Sequence, residues 1–367
     1  MRCVPMRVQK LEYSGWRNLV DGEFLPCEGV NVIYGNNAQG KTNLLEAIWM
    51  FTGAKSFRGA KDAEFIQLGG SKTRIYLNFY AAGRDQESEI RFADHKSIFL
   101  NGIEQKTISK LSGTFCAVVF APAHLSLVKE GPALRRRFLD NALGQLKSGY
   151  TALLSDYHRA VTQRNIVLRD VQFHSELTAM LDIWEDTIAR TGSKIIQQRC
   201  RYIEELLPHV MEFYEGLSGG NEILTLTYDG EKYRFDQDGA EKLRSALYQN
   251  RAEDTRLGIT SVGPHRDDLV LQINHLSARS YASQGQQRCA ALALKLAEAE
   301  VLHSFTGEQP VALLDDVMSE LDASRQEYIL NRAKNWQVFL TCCEPASLMR
   351  MTKGKTFYME NGVLQAV

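Results

Sequence analysis

The sequence lacks the features that mark secreted, membrane-spanning and fibrous proteins. Only 8 of its 367 residues are proline and 27 are glycine, which excludes a collagen-like or low-complexity chain. The 7 cysteines are scattered without a Cys-x-x-Cys pair, so we expect neither a disulfide framework nor a zinc site. No apolar run approaches the roughly 20 residues that cross a bilayer, and the opening MRCVPMRVQK has no apolar signal-peptide core. These absences predict a cytoplasmic protein with no membrane partner.

Neither basic nor acidic residues are in excess. The chain has 43 basic and 44 acidic residues, for a net charge of −1. This balance excludes a polybasic nucleic-acid binder but leaves room for a local basic patch. Hydrophobic residues make up 44% and charged residues 24%, as in an ordinary globular protein. At about 150 residues per domain, the length predicts about two domains.

Hydrophobic periodicity divides the chain into three parts. Residues 1–128 have the pattern of short strands with one helix, apolar residues in 129–218 recur at helical spacing, and the strand pattern returns in 219–367. Within the helical part we expect Gly192 and Pro208 to bend or break the helix. We therefore predict an α/β domain formed by both ends of the chain, with a helical arm inserted between them.

A glycine-rich loop follows the apolar run Val30–Tyr34 and fits the pattern G-x-x-x-x-G-K-T. In this pattern backbone N–H groups surround phosphate oxygens, Lys41 reaches the β- and γ-phosphates, and the Thr42 hydroxyl holds Mg²⁺. A helix expected over 43–51 would point the positive end of its dipole at the anion. The predicted ATP-binding residues are Gly35, Asn36, Asn37, Ala38, Gln39, Gly40, Lys41 and Thr42.

Two carboxylates close a second apolar run, Val311–Leu314. Asp315 is the expected second ligand of Mg²⁺, and Asp316 is the candidate that orients or deprotonates the attacking water. An acidic strand end is often only a turn, so this interpretation depends on the glycine-rich loop. With that loop, the candidate catalytic residues are Asp316, Lys41 and Asp315.

A small polar segment, SQGQQR at 283–288, directly precedes a run with helical composition at 290–302. The Ser283 hydroxyl and the free N–H groups of a helix start can face an anion, although Ser283 would also serve as a simple helix cap. The segment lies one helix before the Asp315 strand, which is the position of the signature motif in ABC-type ATPases. Ser319–Asp322 is similar to their D-loop.

Taken together, these segments resemble the RecF family, from the SMC-related branch of ABC-type ATPases. The resemblance implies an α/β fold: an ABC/SMC-type ATPase head with a P-loop and mixed sheets with helices, and an inserted helical arm. It extends over nearly the whole chain, in GNNAQGKTNLLEAI (35–48), KSFR (55–58), GPALRRRFLD (131–140), GPHRDDL (263–269), YASQGQQR (281–288) and LLDDVMSELD (313–322).

The resemblance also implies a function. ATP with Mg²⁺ would join two copies as a homodimer, each nucleotide lying between the P-loop of one copy and the signature of the other. The dimer would bind single- and double-stranded DNA and help RecO and RecR load RecA in recombinational repair, supporting replication and SOS induction, with weak DNA-stimulated ATPase activity. The further residues it assigns are Ser283, Gly285 and Gln286 in the signature, Asp322 in the D-loop and Thr341 in the switch.

Two departures from the family pattern bear on these assignments. Pro122-Ala123-His124 stands where the family has a Pro-Glu-Asp-like stretch, and only Thr341 of Thr341-Cys342-Cys343 suits a switch contact. DNA contacts are weakly specified, because three adjacent arginines at 135–137 cannot all face one way on a helix, and solvent or internal ion pairs are favoured for them. The candidate DNA contacts are Arg17, which could also contact nucleotide, and Lys55, Arg58 and Lys61.

Two other functions stay open from the sequence. An ATPase subunit of another ABC-type assembly, such as a transporter, is opposed by the lack of a switch histidine and by the helical arm. A P-loop kinase of small molecules would need neither the Ser283 segment nor Ser319–Asp322. ATPase activity that rises with DNA and with protein concentration would favour the RecF-like function, whereas a phosphorylated small product would favour the kinase.

Overall fold

The computed structural model describes residues 5–171, 173–220, 222–345 and 354–367. Its strands are β1 (Arg7–Ser14), β2 (Gly22–Phe24), β3 (Val30–Tyr34), β4 (Thr73–Ala81), β5 (Arg84–Phe92), β6 (Ser97–Leu100), β7 (Ile103–Gln105), β8 (Ala117–Phe120), β9 (Leu224–Tyr228), β10 (Leu269–Ile273), β11 (Leu276–Ser277), β12 (Val311–Asp315), β13 (Val338–Cys342), β14 (Gly354–Glu360) and β15 (Val363–Ala366). Its α-helices are α1 (Lys41–Trp49), α2 (Pro122–Leu125), α3 (Pro132–Leu146), α4 (Tyr150–Asp170), α5 (Thr178–Ser218), α6 (Gly239–Gln249), α7 (Arg251–Leu257), α8 (Ala278–Tyr281), α9 (Gln284–Thr306) and α10 (Ala323–Arg332).

The strands form three sheets. An antiparallel sheet has the order β2-β1-β4-β5-β6-β7. Alternate residues of β4 are buried, as expected for a strand with one face on the core. A short antiparallel sheet has the order β11-β10-β9. The strand patterns expected within 1–128 and 219–367 thus include β4 and β10.

The third sheet positions the candidate site. Its order is β15-β14-β3-β13-β12-β8, and all neighbours are parallel except the pair β14–β15. Strands β12 and β13 are buried along their whole length, which explains their unbroken apolar composition. Because the carboxyl ends of parallel strands meet at one edge, the loop after β3 lies on the same side of the sheet as the last residue of β12.

The helical arm contains one long helix where the sequence predicted a bend or break. Helix α5 is continuous for 41 residues, with Pro208 inside it, so the expected break is wrong. Gly192 is buried in the helix, and a Cβ there would lie 3.0 Å from both Leu243 and Tyr157. Its small size therefore allows close packing of neighbouring side chains. Helix α5 packs against α4 and α6 in the arm, and against α9 of the head.

The arm also draws on residues beyond 218. Helices α6 and α7 follow β9 in the chain, yet α6 packs on α5 and α7 packs on α4. A fully buried ion-pair network joins these helices, because Arg164 on α4 binds Glu185 on α5 and Asp254 on α7. The division of the chain at 128 and 218 stays a prediction. Among the described residues there is no helix with the length and apolarity that a membrane span requires.

Candidate nucleotide-binding site

The glycine-rich loop after β3 adopts a conformation that its glycines make possible. Gly35 and Gly40 have φ values of 149° and 115°, and Ala38 between them also has a positive φ of 63°. A Cβ on Gly35 would lie 2.2 Å from the Met359 carbonyl oxygen, and one on Gly40 would lie 2.6 Å from a methyl group of Leu19. The loop therefore needs glycine at both positions, for backbone conformation and for space.

Lys41 begins α1 at the end of this loop. Its side chain is buried within the loop, where the ammonium group donates hydrogen bonds to the carbonyl oxygens of Gly35 at 2.8 Å and Asn36 at 3.0 Å. Free N–H groups at the start of α1 and the positive end of its dipole favour an anion here. The cleft around the loop has a volume of about 370 Å³, and its lining consists of Asn37, Ala38, Gln39, Gly40, Lys41, Thr42, Asn43, Arg58 and Asp316.

The predicted Mg²⁺ ligands lie together at the edge of the parallel sheet. The Thr42 hydroxyl donates to Asp315 Oδ1 at 2.8 Å, and the Thr341 hydroxyl donates to the same oxygen at 3.0 Å. Burial raises the pKa of Asp315 above its usual range, and the two hydroxyl donors partly offset this effect. A buried carboxylate beside a hydroxyl is a pair of hard oxygen donors, so these residues fit a magnesium ion.

Asp316 lies at the rim of the same cleft. Its backbone has a left-handed φ of 49°, and its N–H donates to the Thr341 hydroxyl at 2.9 Å. Thr341 therefore contacts both aspartates, while its place in a switch stays a prediction. The side chain of the neighbouring Cys343 is exposed and donates to Asn37 Oδ1 in the glycine-rich loop at 3.1 Å.

The four candidate DNA contacts differ in burial and in the partners of their side chains. Arg17 is largely buried and pairs with the fully buried Glu46 of α1 at 2.7 Å, so it has a structural partner inside the protein. Arg58 donates to Asn43 at 2.8 Å and lines the nucleotide cleft. Lys61 is exposed, and Lys55 lines a different cleft. Their contacts with DNA stay predictions.

Sequence reasoning did not assign Arg58 to the nucleotide cleft. A signal was available in α1, whose apolar face LLEAI carries one glutamate. A buried carboxylate needs a cation or hydrogen-bond donors. Glu46 receives a hydrogen bond from the Ser56 hydroxyl at 2.5 Å and lies 3.8 Å from the Arg58 guanidinium. Both partners come from the KSFR segment, and these contacts hold that segment against the start of α1.

Ser283 forms the N-cap of α9. Its hydroxyl accepts the N–H of Gln286 at 3.2 Å, while its own N–H donates to the Gln286 side chain at 2.7 Å, which completes a capping box. Ser283 is exposed, and a Cβ on Gly285 would meet only ordinary contacts, at 3.9 Å from the side chains of Arg325 and Ser283. Gln286 also donates to Glu222, which in turn accepts a hydrogen bond from Tyr214 of α5. The cap predicted as the simpler alternative is confirmed, and its exposed face is free.

The signature segment lies outside the nucleotide cleft of the same chain. As far as the described residues show, no residue of 283–286 lines the cleft around Lys41. Asp322 is likewise committed to helix capping at the start of α10, where it accepts the N–H of Arg325 at 3.0 Å. Hydrogen bonds from the Ser324 hydroxyl and from this N–H lower the pKa of Asp322.

His124, in the stretch that departs from the family pattern, has a structural place. Its Nδ1 accepts the N–H of Ala121 at 3.2 Å at the start of the short helix α2. Burial lowers the pKa of His124 to about 3, so the ring is neutral at physiological pH. It therefore supplies no carboxylate-like charge at this position.

A parallel sheet with a glycine-rich loop after one strand, a paired carboxylate after another and a capped helix start facing outward define the head of an ABC/SMC-type ATPase. The family model described as RecF/RecN/SMC N terminal domain matches residues 7–365. The chain belongs to the RecF family of DNA replication and repair proteins.

Relatives in this family match over nearly their whole length. The DNA replication and repair protein RecF of Heliobacterium modesticaldum is 41% identical over 345 residues, which cover 92% of this chain and 92% of that protein. The protein of the same name from Acetivibrio thermocellus is 34% identical over 360 residues, covering 96% and 98%.

Solved structures agree with this assignment. One described as the recombination mediator protein RecF-ATPrS in the RecFOR pathway has a TM-score of 0.93 at 34% identity, covering 100% of this chain and 99% of its own. Another, described as RecF-ATP in the same pathway, has a TM-score of 0.91 at 34% identity, covering 100% and 98%. An Smc head domain derived from Pyrococcus furiosus, at 16% identity and a TM-score of 0.55, covers 99% and 96% and shares the fold.

Proposed function

We propose that this chain binds ATP with Mg²⁺ and that two copies close around the nucleotide to form a dimer that binds DNA. One observation carries the proposal: the cleft around Lys41 and the exposed α9 cap at Ser283 are separate surfaces of the chain. Each presents N–H groups suited to phosphate oxygens. A nucleotide held by the first surface can therefore meet the second surface only on another copy.

Within this proposal, the residues of the loop bind the triphosphate. Lys41 exchanges its hydrogen bonds to the Gly35 and Asn36 carbonyls for phosphate oxygens, and the N–H groups from Gly35 to Thr42 surround them. Thr42 and Asp315 would hold the magnesium ion, which neutralises phosphate charge when bound. Arg58 extends the positive charge along the cleft.

Hydrolysis in this proposal depends on Asp316. Its position at the rim of the cleft, fixed by the N–H bond to Thr341, lets its carboxylate orient or deprotonate a water molecule near the terminal phosphate. Its side chain is one methylene shorter than the glutamate usual in ABC-type ATPases. We expect slow, DNA-stimulated turnover that controls the lifetime of the dimer.

The pathway role follows from the relatives. Structures of RecF in the RecFOR pathway resemble this chain over its whole length. We therefore propose that the ATP-bound dimer acts with RecO and RecR at single- and double-stranded DNA, helping to load RecA in recombinational repair and SOS induction. In this scheme the head, 1–128 with 219–367 apart from α6 and α7, carries the nucleotide, and the arm at 129–218, with α6 and α7 packed on it, extends from the head.

Sedimentation of the full chain tests the dimer. We expect a monomer without nucleotide, a dimer with ATP and Mg²⁺, and a larger complex when DNA is added. Ser283→Arg places a bulky cation at the exposed cap, so the ATP-dependent dimer and the DNA complex should be lost. ATP binding by the monomer should stay near that of the unmodified chain, because the variant leaves the Lys41 cleft untouched.

Ser155→Arg is the matched control for this experiment. Ser155 is exposed on α4 of the arm, so the same substitution there should leave the ATP-dependent dimer in place. Loss of monomer ATP binding in Ser283→Arg would instead place Ser283 in the pocket of its own chain. That result would contradict a site shared between two copies.

A further inference from the structure

A second cleft separates the head from the arm and has no role in nucleotide binding. Its volume is about 600 Å³, larger than that of the nucleotide cleft, and the two share no lining residue among those the structure describes. The segment after α1, with Lys55, forms one wall. Arg136 and Arg137 on α3 and His158 on α4 face it from the arm.

This head–arm cleft contains three basic side chains that form no ion pair with a carboxylate among the residues that the structure describes. Its two acidic residues are already paired, Asp62 with Lys96 and Asp140 with Arg199. Within the described part of the chain, no ion pair joins a carboxylate to Lys55, Arg136 or Arg137. Basic side chains that gather in a concave surface without anionic partners attract an anionic ligand.

The three adjacent arginines of α3 have three different environments, which is why only two of them face the cleft. Arg135 is buried and forms a bidentate ion pair with Asp268 at 2.7 Å. Arg136 donates to the backbone carbonyls of Arg266 and Asp267, which hold its guanidinium in place. Burial raises the pKa values of Asp229 and Asp267, and the nearby charge of Arg136 partly opposes this rise, but neither carboxylate forms an ion pair with it. Arg137 is exposed and lies against Gly59 across the cleft.

The positive charges of the cleft also affect the pKa of His158. Burial lowers its pKa, and the nearby positive charges of Lys55, Arg199 and Arg136 lower it further, against the opposing effect of Asp140. The ring is therefore neutral at physiological pH and able to donate a hydrogen bond. The positive charge of the cleft comes from Lys55, Arg136 and Arg137.

We propose that the head–arm cleft binds the phosphodiester backbone of nucleic acid through Lys55, Arg136 and Arg137. The proposal rests on the proposed function, in which the chain binds DNA, and it assigns the DNA-binding site to this cleft. A single phosphate would need one convergent group of donors, whereas these cations come from two walls, Lys55 after α1 and the arginines of α3, around a space larger than the nucleotide cleft. Spaced cations suit the repeated phosphates of a strand.

Binding of a fluorescent oligonucleotide at several salt concentrations, with ATP and Mg²⁺ present, tests the cleft. We expect Arg137→Glu and Lys55→Glu each to weaken binding about tenfold and to reduce the slope of log affinity against log salt by about 1 for each phosphate that is no longer neutralised. Arg84→Glu is the matched control, since Arg84 is exposed at the start of β5 and outside the cleft. It should leave both affinity and slope unchanged, and thermal unfolding checks that all variants fold.

The outcomes separate the two proposals. If the unmodified chain binds no oligonucleotide with or without ATP, the proposed function fails and the cleft assignment fails with it. If the unmodified chain binds but both cleft variants bind as tightly, with the same salt slope, only the cleft assignment fails. Binding of inorganic pyrophosphate is the last measurement. If the unmodified chain binds pyrophosphate tightly, and Arg137→Glu loses this binding but keeps its affinity for the oligonucleotide, the cleft is a site for small phosphates and the assignment is overturned.

Discussion

At the scale of single residues, Asp316 combines a left-handed backbone with a half-buried position at the rim of the cleft. A positive φ is uncommon for residues other than glycine, and aspartate and asparagine tolerate it best. The value of 49° at Asp316 turns the chain directly after β12 and is held by the bond from its N–H to Thr341. A residue at this position therefore has to accept a left-handed conformation as well as perform its chemistry.

The variant Asp316→Asn separates the backbone conformation at this position from the chemistry of the carboxylate. Asparagine accepts the same backbone conformation, so the variant should fold and bind ATP like the unmodified chain. It cannot accept a proton from water at physiological pH, and we expect ATP hydrolysis to slow by roughly 10²-fold. The ATP-bound dimer on DNA should live correspondingly longer. Steady-state ATPase rates and dissociation of the DNA complex measure both effects, and an unchanged hydrolysis rate would remove Asp316 from the catalytic role.

At the scale of elements, the segment before β10 contains two adjacent aspartates with opposite environments. Asp268 forms the ion pair with the buried Arg135. Asp267 is buried, its Oδ2 has no hydrogen-bond partner, and a Cβ on Gly230 would lie within 1.9 Å of that oxygen. Burial, together with the neighbouring charge of Asp229, raises the pKa of Asp267 to about 6.

Because their environments differ, replacing Asp267 by asparagine should stabilise the protein at pH 7, whereas replacing Asp268 by asparagine should destabilise it. The raised pKa means that the folded state favours protonated Asp267, so its stabilising contribution is complete below about pH 4 and is lost as the pH rises through about 6. Asp267→Asn mimics the protonated form. We expect it to raise the free energy of unfolding at pH 7 by roughly 2–3 kcal/mol, from about two pKa units at about 1.4 kcal/mol each.

Asp268→Asn is the internal control for that measurement. It leaves the buried guanidinium of Arg135 without its anionic partner, and we expect a loss of about 3 kcal/mol at pH 7. Urea unfolding of both variants between pH 4 and 7 checks the signs. The gain from Asp267→Asn should disappear toward pH 4; a gain that does not change with pH would show that Asp267 does not titrate as its burial implies.

Local patterns predicted the elements better than they predicted the contacts between elements. The strands expected at 30–34 and 311–314 are confirmed because buried parallel strands require continuous apolar runs. The break in α5 was wrong because tertiary packing around Gly192 and along the helix outweighs the cost of proline and glycine in a helix interior. Helix propensity describes an isolated segment, and α5 is packed on several sides.

In the candidate site, too, the sequence predicted local segments better than side-chain contacts between distant segments. The loop from Gly35 to Thr42 could be predicted because phosphate binding demands a fixed local spacing of glycine, lysine and threonine. The approach of Thr42 to Asp315, 273 positions apart, follows from parallel pairing of strands, which the motif order already implied. The pairing of Arg17 with Glu46, and the position of Arg58 in the nucleotide cleft, depend on side-chain directions across three segments. The glutamate in the apolar face of α1 indicates that a partner is needed but does not identify it.

At the scale of the whole molecule, a site shared between copies makes a prediction about mixtures. Lys41→Met disables the cleft of its own chain but keeps its Ser283 cap, and Ser283→Arg does the reverse. In a mixed dimer, the intact cleft of one chain faces the intact cap of the other, so one complete site forms. We expect neither variant alone to dimerise with ATP, and the mixture to regain part of the ATP-dependent dimer and ATPase activity.

Sedimentation and ATPase assays of the mixture, over a range of ratios, measure this recovery. Activity should be greatest at equal amounts of the two variants, because the mixed pair is then most abundant. A mixture that stays inactive while each variant remains folded and Ser283→Arg still binds ATP would indicate that one chain supplies the whole site.

The unbroken course of α5 has a mechanical consequence. At 1.5 Å per residue, its 41 residues make a rod about 60 Å long. The rod is fastened near the signature by the hydrogen bonds that link Tyr214 to Glu222 and Glu222 to Gln286. A tilt of about 5° at that end carries the opposite end, near Thr178, through about 5 Å. Because α4 and α6 pack on α5, such a tilt would carry the helical arm with it, so a small adjustment at the Ser283 cap would displace the far end of the arm by about one helical turn.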